Sequence, residues 1–332
     1  MFVASILCCT CSLVSAHTAI ALRPVQAIPL PDIDGRIDHF AIDVKGRRAF
    51  LAALTKNTVE VVDLKVGRVT RSLSGFAKPQ GVQFVAEFNK LFVATGEDGE
   101  LHTLDGTTLS VLRIDKTSAG TDAIGYDPRS KYLYVGSGGK DANKELGDLT
   151  VIDASSGDKI AALVTDAHAG GSVVDTLGPH LYVLVPEKGE VIVLDRNTGG
   201  QVARWTIPGI QKNVAIALDE TNHRLFLGVR DPASIVVLDC NSGAVIASVP
   251  TVATLDGLSY DAAAHRIYTT GGEGFVDVTQ QIDADHYERI ARVPTAPGAR
   301  TSTFVSEWRR LYVAVPRDRD HGAELRVFVA VP

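Results

Sequence analysis

The stretch Lys90-Leu91-Phe92-Val93-Ala94 is one of seven related copies along the chain, in which a basic or polar residue and an aliphatic residue precede an aromatic residue. Successive copies are 42 to 48 residues apart. A period of roughly 40 to 50 residues is typical of a β-propeller, in which each repeat forms one four-stranded sheet. The aromatic residues of the seven copies are Phe50, Phe92, Tyr134, Tyr182, Phe226, Tyr268 and Tyr312.

The repeat therefore predicts an all-β fold: a seven-bladed β-propeller of four-stranded antiparallel blades over residues 25–332. The seventh repeat ends after its third strand, at Leu325 to Val329. Fourth strands elsewhere end in an aliphatic-proline pair, and the same pair occurs before the first repeat, at Ile28-Pro29. The segment from Val25 to Leu30 is thus predicted to complete the last blade. This closure of the ring removes two sheet edges that would otherwise be exposed.

Composition limits the classes of function. The 332 residues are 45% hydrophobic and 22% charged, which is ordinary for a soluble domain. A net charge of −6, a pI near 5.8 and the lack of a basic cluster argue against nucleic-acid binding. We expect a monomer without a membrane-spanning segment.

The N-terminus differs from the rest of the chain. Phe2 to Val14 is apolar and uncharged, and Val14-Ser15-Ala16 is a small-x-small pattern suited to signal peptidase. This predicts a signal peptide over residues 1–16 and a periplasmic or secreted protein. No Lys or Arg precedes the apolar stretch. A disordered apolar tail is the alternative. Cleavage would leave Cys240 as the single cysteine, without an internal disulfide.

A second column of residues follows the aromatic one. Each aspartate of this column begins a turn, and such a side chain accepts hydrogen bonds from backbone amides two residues further on. The spacing places one of these aspartates on the outer hairpin of each blade, so they are expected to be structural and not metal ligands. They are Asp63, Asp105, Asp153, Asp195, Asp239 and Asp283.

The stretch Leu91-Phe92-Val93-Ala94-Thr95 and its counterparts, together with the segment from Asn57 to Asp63, resemble the repeat of the YVTN-repeat β-propeller family. The resemblance extends over residues 25–332. The repeat is also similar to WD40-like, d1-haem-type and quinoprotein-associated propellers. Membership would imply an exported bacterial or archaeal surface protein. The chain has no Cys-x-x-Cys-His motif for covalent haem, and we expect no cofactor.

A candidate site follows from the topology. The loops that lead into the first strands of a propeller converge on one mouth of its channel, and convergent polar groups around a concavity are typical of a ligand site. Counting back twelve residues from each aromatic residue gives Asp38, Gln80, Asp122, Gly170, Val214, Asp256 and Arg300. With their polar neighbours, the candidate ligand-binding residues are Arg36, Asp38, His39, Gln80, Asp122, His168, Asn213, Asp256 and Arg300.

Three functions remain open at this point. The first is binding of a small polar ligand or a protein partner, because no catalytic motif is present. The second is a metal-dependent, lactonase-like hydrolase in which Asp38, Asp122 and Asp256 hold a cation and His39 or His168 acts as base. The third is binding of single-stranded nucleic acid, against which the acidic pI and the scarcity of clustered Lys and Arg argue. In the purely structural alternative, the polar groups only satisfy strand-end amides and pair with one another around a wet channel. A long loop from residue 137 to 148 is expected on the same face, as a lid, a partner contact or a tolerated insertion.

Overall fold

The structure is a computed structural model, and it describes residues 21–332. The predicted seven-bladed propeller is confirmed: these residues form seven four-stranded antiparallel sheets and no α-helix. No helix among them is long and apolar enough to cross a membrane. The signal peptide predicted for residues 1–16 lies outside the described residues and stays a prediction.

Within blades 1 to 6 the four strands follow chain order, so that each blade is built from consecutive hairpins. Blade 1 contains β2 (Ile37–Asp43), β3 (Arg48–Ala53), β4 (Thr58–Asp63) and β5 (Arg68–Ser74), and blade 2 contains β6 (Pro79–Val85), β7 (Lys90–Thr95), β8 (Glu100–Asp105) and β9 (Val111–Lys116). Blade 3 contains β10 (Ile124–Asp127), β11 (Tyr132–Gly138), β12 (Gly147–Asp153) and β13 (Lys159–Thr165), and blade 4 contains β14 (Ser172–Val174), β15 (His180–Val185), β16 (Glu190–Asp195) and β17 (Gln201–Thr206).

The remaining blades repeat this arrangement. Blade 5 contains β18 (Gln211–Asp219), β19 (Arg224–Asp231), β20 (Ala233–Asp239) and β21 (Val245–Pro250), and blade 6 contains β22 (Leu255–Asp261), β23 (Arg266–Gly271), β24 (Phe275–Gln281) and β25 (Tyr287–Pro294). Blade 7 contains β26 (Thr301–Val305), β27 (Arg310–Val315), β28 (Glu324–Ala330) and β1 (Leu22–Pro29). Short 3₁₀ turns lie at Leu54–Lys56, Lys140–Ala142 and Ser306–Trp308.

The N-terminal strand closes the ring, as predicted. β1 pairs antiparallel with β28, from Leu22 opposite Ala330 to Pro29 opposite Glu324. The strand begins three residues earlier than Val25. Its Ile28 side chain is fully buried in the cluster of apolar residues between blades 7 and 1. Closure therefore pairs the backbone N–H and C=O groups at the edge of β28. It also buries apolar side chains between blades 7 and 1.

The aromatic column forms the centre of the blades. All seven aromatic residues lie in second strands, and at most 4% of each is exposed. Several of them pack against an aromatic residue in the first strand of the following blade; Phe50 and Phe84, for example, have ring centroids 5.6 Å apart, and Tyr268 and Phe304 4.9 Å apart. Large aromatic rings contribute much of the apolar area of a core. The column is therefore explained by packing between blades.

The aspartate column caps the outer hairpins, as predicted. Each carboxylate accepts hydrogen bonds from the amides two and three residues further on, at 2.7 to 3.1 Å. Asp63, for instance, accepts from Lys65 and Val66. These contacts explain the column as turn chemistry.

Truncation of Ile28 tests the closure of the ring. Ile28→Ala should lower the free energy of unfolding by about 2–5 kcal/mol, because it leaves a cavity in the seam between the first and last blades. Val25→Ala is the matched control, since 41% of Val25 is exposed on the same strand, and it should change stability by less than about 0.5 kcal/mol. Equilibrium denaturation measures both. Equal effects of the two substitutions would contradict the closure.

Candidate functional site

The loops that lead into the first strands surround a cavity of about 400 Å³ at one end of the channel. This volume falls within the range of small-molecule sites, roughly 300–1,000 Å³. We call it the mouth cavity. Of the nine predicted site residues, those that line it are Arg36, His39, Gln80, Asp122, His168 and Asp256.

The other three predicted residues are placed differently. Asp38 is buried, with 1% exposed, and accepts a hydrogen bond of 2.7 Å from the Arg36 guanidinium. Arg300 Nε lies 3.1 Å from Asp256 Oδ2 and so supports the cavity wall. Asn213 is fully buried, and its side-chain amide donates to the carbonyl of Glu190 at 2.8 Å. Asn213 therefore joins blades 4 and 5 and does not line the cavity.

Sequence reasoning missed residues that come from a second set of loops. Arg230 and Glu187 also line the cavity, and each lies in or beside the hairpin between the second and third strands of its blade. These hairpins open on the same face as the loops before the first strands, because neighbouring strands are antiparallel. Counting forward from each aromatic residue would have found them. The long loop of blade 3 accordingly lies at the mouth through Gly138 and Lys140.

Asp122 lies between two histidines at the floor of the site. His39 Nε2 is 3.4 Å from Asp122 Oδ1, and His168 Nε2 is 3.9 Å from Oδ2. The His168 Nδ1 faces the carbonyl of Gly138 at 3.1 Å, to which it donates. The two histidines belong to the non-adjacent blades 1 and 4. Both reach Asp122 because the loops converge over the channel. The result is a His–Asp–His arrangement.

Asp256 is enclosed by guanidinium groups. Arg230 Nη2 lies 2.5 Å from its Oδ1, and Arg300 Nε and Arg36 Nη2 lie 3.1 and 3.6 Å from its Oδ2. A cation bound to Asp256 would meet three positive charges. Among residues 21–332, no three ligand atoms of His, Cys, Asp or Glu at the mouth lie within 4.8 Å of one another. The geometry therefore does not favour a cation held by Asp38, Asp122 and Asp256.

The carboxylates and His39 have strongly separated pKa values. Burial, together with the negative charge of Asp122, raises the pKa of Asp38 to about 6. Burial acts to raise the pKa of Asp122, but the close contact with His39 and the charge of His39 outweigh it and lower this pKa to about 2. Asp122 is therefore the anionic member of this buried pair at neutral pH, whereas burial favours the protonated form of Asp38.

The pKa of His39 shifts in the opposite direction to that expected from burial. Burial alone would lower it, but the contact with Asp122 and the charges of Asp122 and Asp38 raise the pKa of His39 to about 9. Because 39% of the side chain is exposed, water in the cavity screens part of this effect. His39 is consequently a cation at neutral pH.

Unsatisfied polar atoms are concentrated at the mouth. Buried side-chain polar atoms nearly always have a hydrogen-bond partner. Within residues 21–332, ten such atoms lack one. Four of these belong to residues at the mouth: Arg36 Nε, Asp38 Oδ2, Asp122 Oδ1 and Asp256 Oδ2. Asp122 Oδ1 and Asp256 Oδ2 lie in ion pairs with His39 and Arg300 that are not aligned as hydrogen bonds, so these acceptors keep hydrogen-bonding capacity, as does the donor Arg36 Nε.

Comparison with solved structures shows the fold of this chain. It is similar to the Kuenenia stuttgartiensis hydrazine synthase, with a TM-score of 0.77 and 16% identity over 90% of this chain and 96% of that chain. It is also similar to the Myceliophteria thermophila Cps50 (Swd1) β-propeller domain, with a TM-score of 0.73 and 13% identity over 93% of this chain and 100% of that one. Similarity at this level of identity establishes a seven-bladed propeller and no function.

No protein-family model matches the chain, and no curated protein matches it. The resemblance to the YVTN-repeat family therefore stays a prediction. So does the assignment of the nine site residues to ligand binding, although six of them line one cavity.

The raised pKa of His39 predicts a dependence of stability on pH. The folded protein keeps the His39 proton up to about pH 9, whereas the unfolded chain releases it near the ordinary value of 6.5. The free energy of unfolding should therefore fall as the pH rises from 6.5 to 9. His39→Asn should flatten this fall, which equilibrium denaturation at several pH values measures.

His286→Asn is the control for this experiment. Its side chain is 76% exposed. It lies in the outer hairpin of blade 6, which is not one of the loops that form the mouth. This variant should keep the wild-type slope. A slope that His39→Asn leaves unchanged would contradict the ion pair with Asp122.

Proposed function

We propose that this protein is an exported β-propeller that binds a small anionic ligand with hydroxyl groups in its mouth cavity. The observation that supports this most directly is the set of three polar atoms without a hydrogen bond within residues 21–332 on residues that line one cavity: Arg36 Nε, Asp122 Oδ1 and Asp256 Oδ2. A ligand with donors and acceptors would supply the missing hydrogen bonds. Leaving such groups unpaired costs roughly 1–3 kcal/mol each.

The charges at the mouth favour an anion. Arg36, Lys140, Lys212 and Arg230 line the cavity together with the cationic His39, against the carboxylates of Asp122, Glu187 and Asp256. The Lys212 ammonium lies within 4.0 Å of no described carboxylate. Cationic groups in a concave site attract anions and form strong charge-assisted hydrogen bonds with them.

The acceptors at the mouth define the rest of the ligand. Asp122 Oδ1 has no aligned hydrogen bond in the described part of the chain and can accept one, and the Gln80 side-chain amide can donate or accept hydrogen bonds. A ligand that carries only negative charge would be repelled by Asp122. Hydroxy acids, sugar acids and sugar phosphates combine an anionic group with hydroxyl donors, and they form the chemical class that we propose.

The backbone of Lys212 has a conformation that glycine adopts without strain. Its φ is +59°, in the left-handed region that favours glycine. The equivalent positions of blades 3 and 7 are Gly120 and Gly298, with φ of +74° and +80°. A lysine in this conformation costs on the order of 1 kcal/mol or more. Lys78 and Thr254 hold the equivalent positions of blades 2 and 6 with φ of +58° and +51° and do not line the cavity, so the conformation belongs to the turn and glycine can replace Lys212 there.

Replacement of Lys212 separates ligand binding from stability. Lys212→Gly should leave the protein as stable as the wild type or more stable, because it removes the backbone strain. The same variant should bind the anionic ligand more weakly by roughly tenfold or more, since a charge-assisted hydrogen bond contributes about 1.5–3 kcal/mol. Thermal shifts with hydroxy acids, sugar acids and sugar phosphates identify the ligand, and calorimetric titration then measures its affinity for both proteins.

Lys78→Gly is the matched control. Lys78 occupies the equivalent position of blade 2 with a φ of +58°, but it does not line the mouth cavity. This variant should retain the affinity. If no anion of the panel raises the melting temperature of the wild type, or if the two glycine variants bind equally well, the proposed ligand class is wrong.

Export and a monomeric state are further parts of the proposal. The apolar stretch ending in Val14-Ser15-Ala16 supports export. Fractionation of expressing cells with N-terminal sequencing should find a mature chain that begins at His17, outside the cytoplasm. A cytoplasmic chain that retains residues 1–16 would contradict export, and a dimer mass in light scattering would contradict the monomer.

A further inference from the structure

We propose that blade 2 carries a second site, for a divalent transition-metal ion, formed by Asp98, Glu100 and His102. Each of these residues offers one ligand atom, and the three atoms lie within 4.8 Å of one another. Among residues 21–332 this is the one such group. It lies outside the mouth cavity and is independent of the ligand proposed there.

The strand and its hairpin bring the three side chains together. Glu100 and His102 are two residues apart on β8, so their side chains point to the same face of the sheet. Asp98 lies in the hairpin that precedes this strand. His102 Nε2 is 3.1 Å from Glu100 Oε2. Two ligands bound tetrahedrally at 2.0–2.1 Å from Zn²⁺ would lie about 3.3 Å apart, which is close to this distance.

Neighbouring residues hold the ligands in place. The hydroxyl of Thr95 donates to Asp98 Oδ1. Lys116 Nζ lies 2.7 Å from Glu100 Oε1 and leaves Oε2 directed toward His102. The buried ring of Phe76 packs edge-on against the imidazole, with centroids 5.1 Å apart. Contacts of this kind orient the ligands of metal sites.

His102 provides the observation that distinguishes this group from an ordinary acidic cluster. Only 3% of the residue is exposed, and its Nε2 has no hydrogen-bond partner among the described residues. Glu100 is near enough but is not aligned for a hydrogen bond. A buried ring nitrogen without a partner is costly. A metal ion between the imidazole and the carboxylates would remove this cost.

The other blades show that this deficiency is particular to blade 2. His102 pairs across the sheet with Val93, the residue after the aromatic one, and each blade has an equivalent position. Two blades place an aliphatic side chain there. Four place a polar one, and each of these is hydrogen-bonded within the protein: Glu60 to Thr58 and Ser72, Thr150 to Asp148, Asp277 to Arg292, and Arg326 to Glu324 and Thr295.

The donor set selects the kind of metal. One imidazole nitrogen and two carboxylate oxygens suit Zn²⁺ and its neighbours among the divalent transition metals better than Ca²⁺ or Mg²⁺, which prefer oxygen ligands alone. Because Asp98 is exposed, the fourth position of a tetrahedral ion would face solvent and hold water.

Titration with the metal alone tests the site. The full-length protein, stripped with a chelator and dialysed, is titrated with Zn²⁺ in a calorimeter, and Co²⁺ uptake is followed by absorbance. We expect Asp98→Asn and His102→Gln each to bind one Zn²⁺ fewer than the wild type. Where the ion is still bound, its affinity should be at least about tenfold weaker. The cysteines among residues 1–16 can also take up Zn²⁺, so the difference between variants is decisive.

His286→Gln is the control. It removes an exposed histidine that also lies close to a carboxylate, at 2.9 Å, but in blade 6 and so outside the proposed site. It should bind as the wild type does. If His102→Gln fails to fold, the exposed Asp98→Asn variant decides. The proposal is overturned if the wild type binds no Zn²⁺, if Asp98→Asn binds with unchanged stoichiometry and affinity, or if the control variant loses the same ion.

Discussion

The pairing of β1 with β28 holds the seven blades in one ring. It joins the first residues of the described chain to the last and makes seven separate sheets into one closed ring. Only in a closed ring do the loops of blades 1, 3, 4 and 6 face one another over a single channel. The mouth cavity is thus a consequence of topology, and no single blade contains it.

Within that cavity, the convergence of the loops brings charged side chains of different blades into ion pairs. Asp122 brings together His39 and His168 from two other blades, and Asp256 gathers three guanidinium groups. Opposite charges alternate around the mouth and stabilise one another, yet several of their polar atoms remain without hydrogen bonds. A purely structural network would be expected to satisfy these atoms. The incomplete network supports a binding site.

The sequence predicts the fold well because the fold depends on local, repeated signals. An aromatic residue at the centre of each second strand and an aliphatic-proline pair at the end of fourth strands, including Ile28-Pro29, were enough to predict seven blades and their closure. The position of the mouth also followed, by counting from Phe50 and its equivalents. These features are set by register along a strand, which a single sequence reveals.

The identity of the site residues was only partly predictable, because it depends on contacts between blades. Arg230 and Glu187 were missed since they lie in the other set of hairpins on the same face. Asn213 lies next to Val214, one of the positions counted back from the aromatic residues, but its side chain points to the carbonyl of Glu190. No sequence signal marks His102. Its Nε2 lacks a hydrogen bond to any described residue although Glu100 lies 3.1 Å away, and only the three-dimensional structure reveals this. Side-chain direction and convergence are three-dimensional properties.

Loops of different blades converge so that Asp122 and His39 form an ion pair at the mouth. Titration of the His39 ring protons by NMR, with assignment from His39→Asn, measures this ion pair. We predict a pKa near 9 in the wild type and a decrease toward the ordinary value of 6.5 in Asp122→Asn. A wild-type His39 that titrates near 6.5 and does not respond to Asp122→Asn would show that the two side chains do not form this pair.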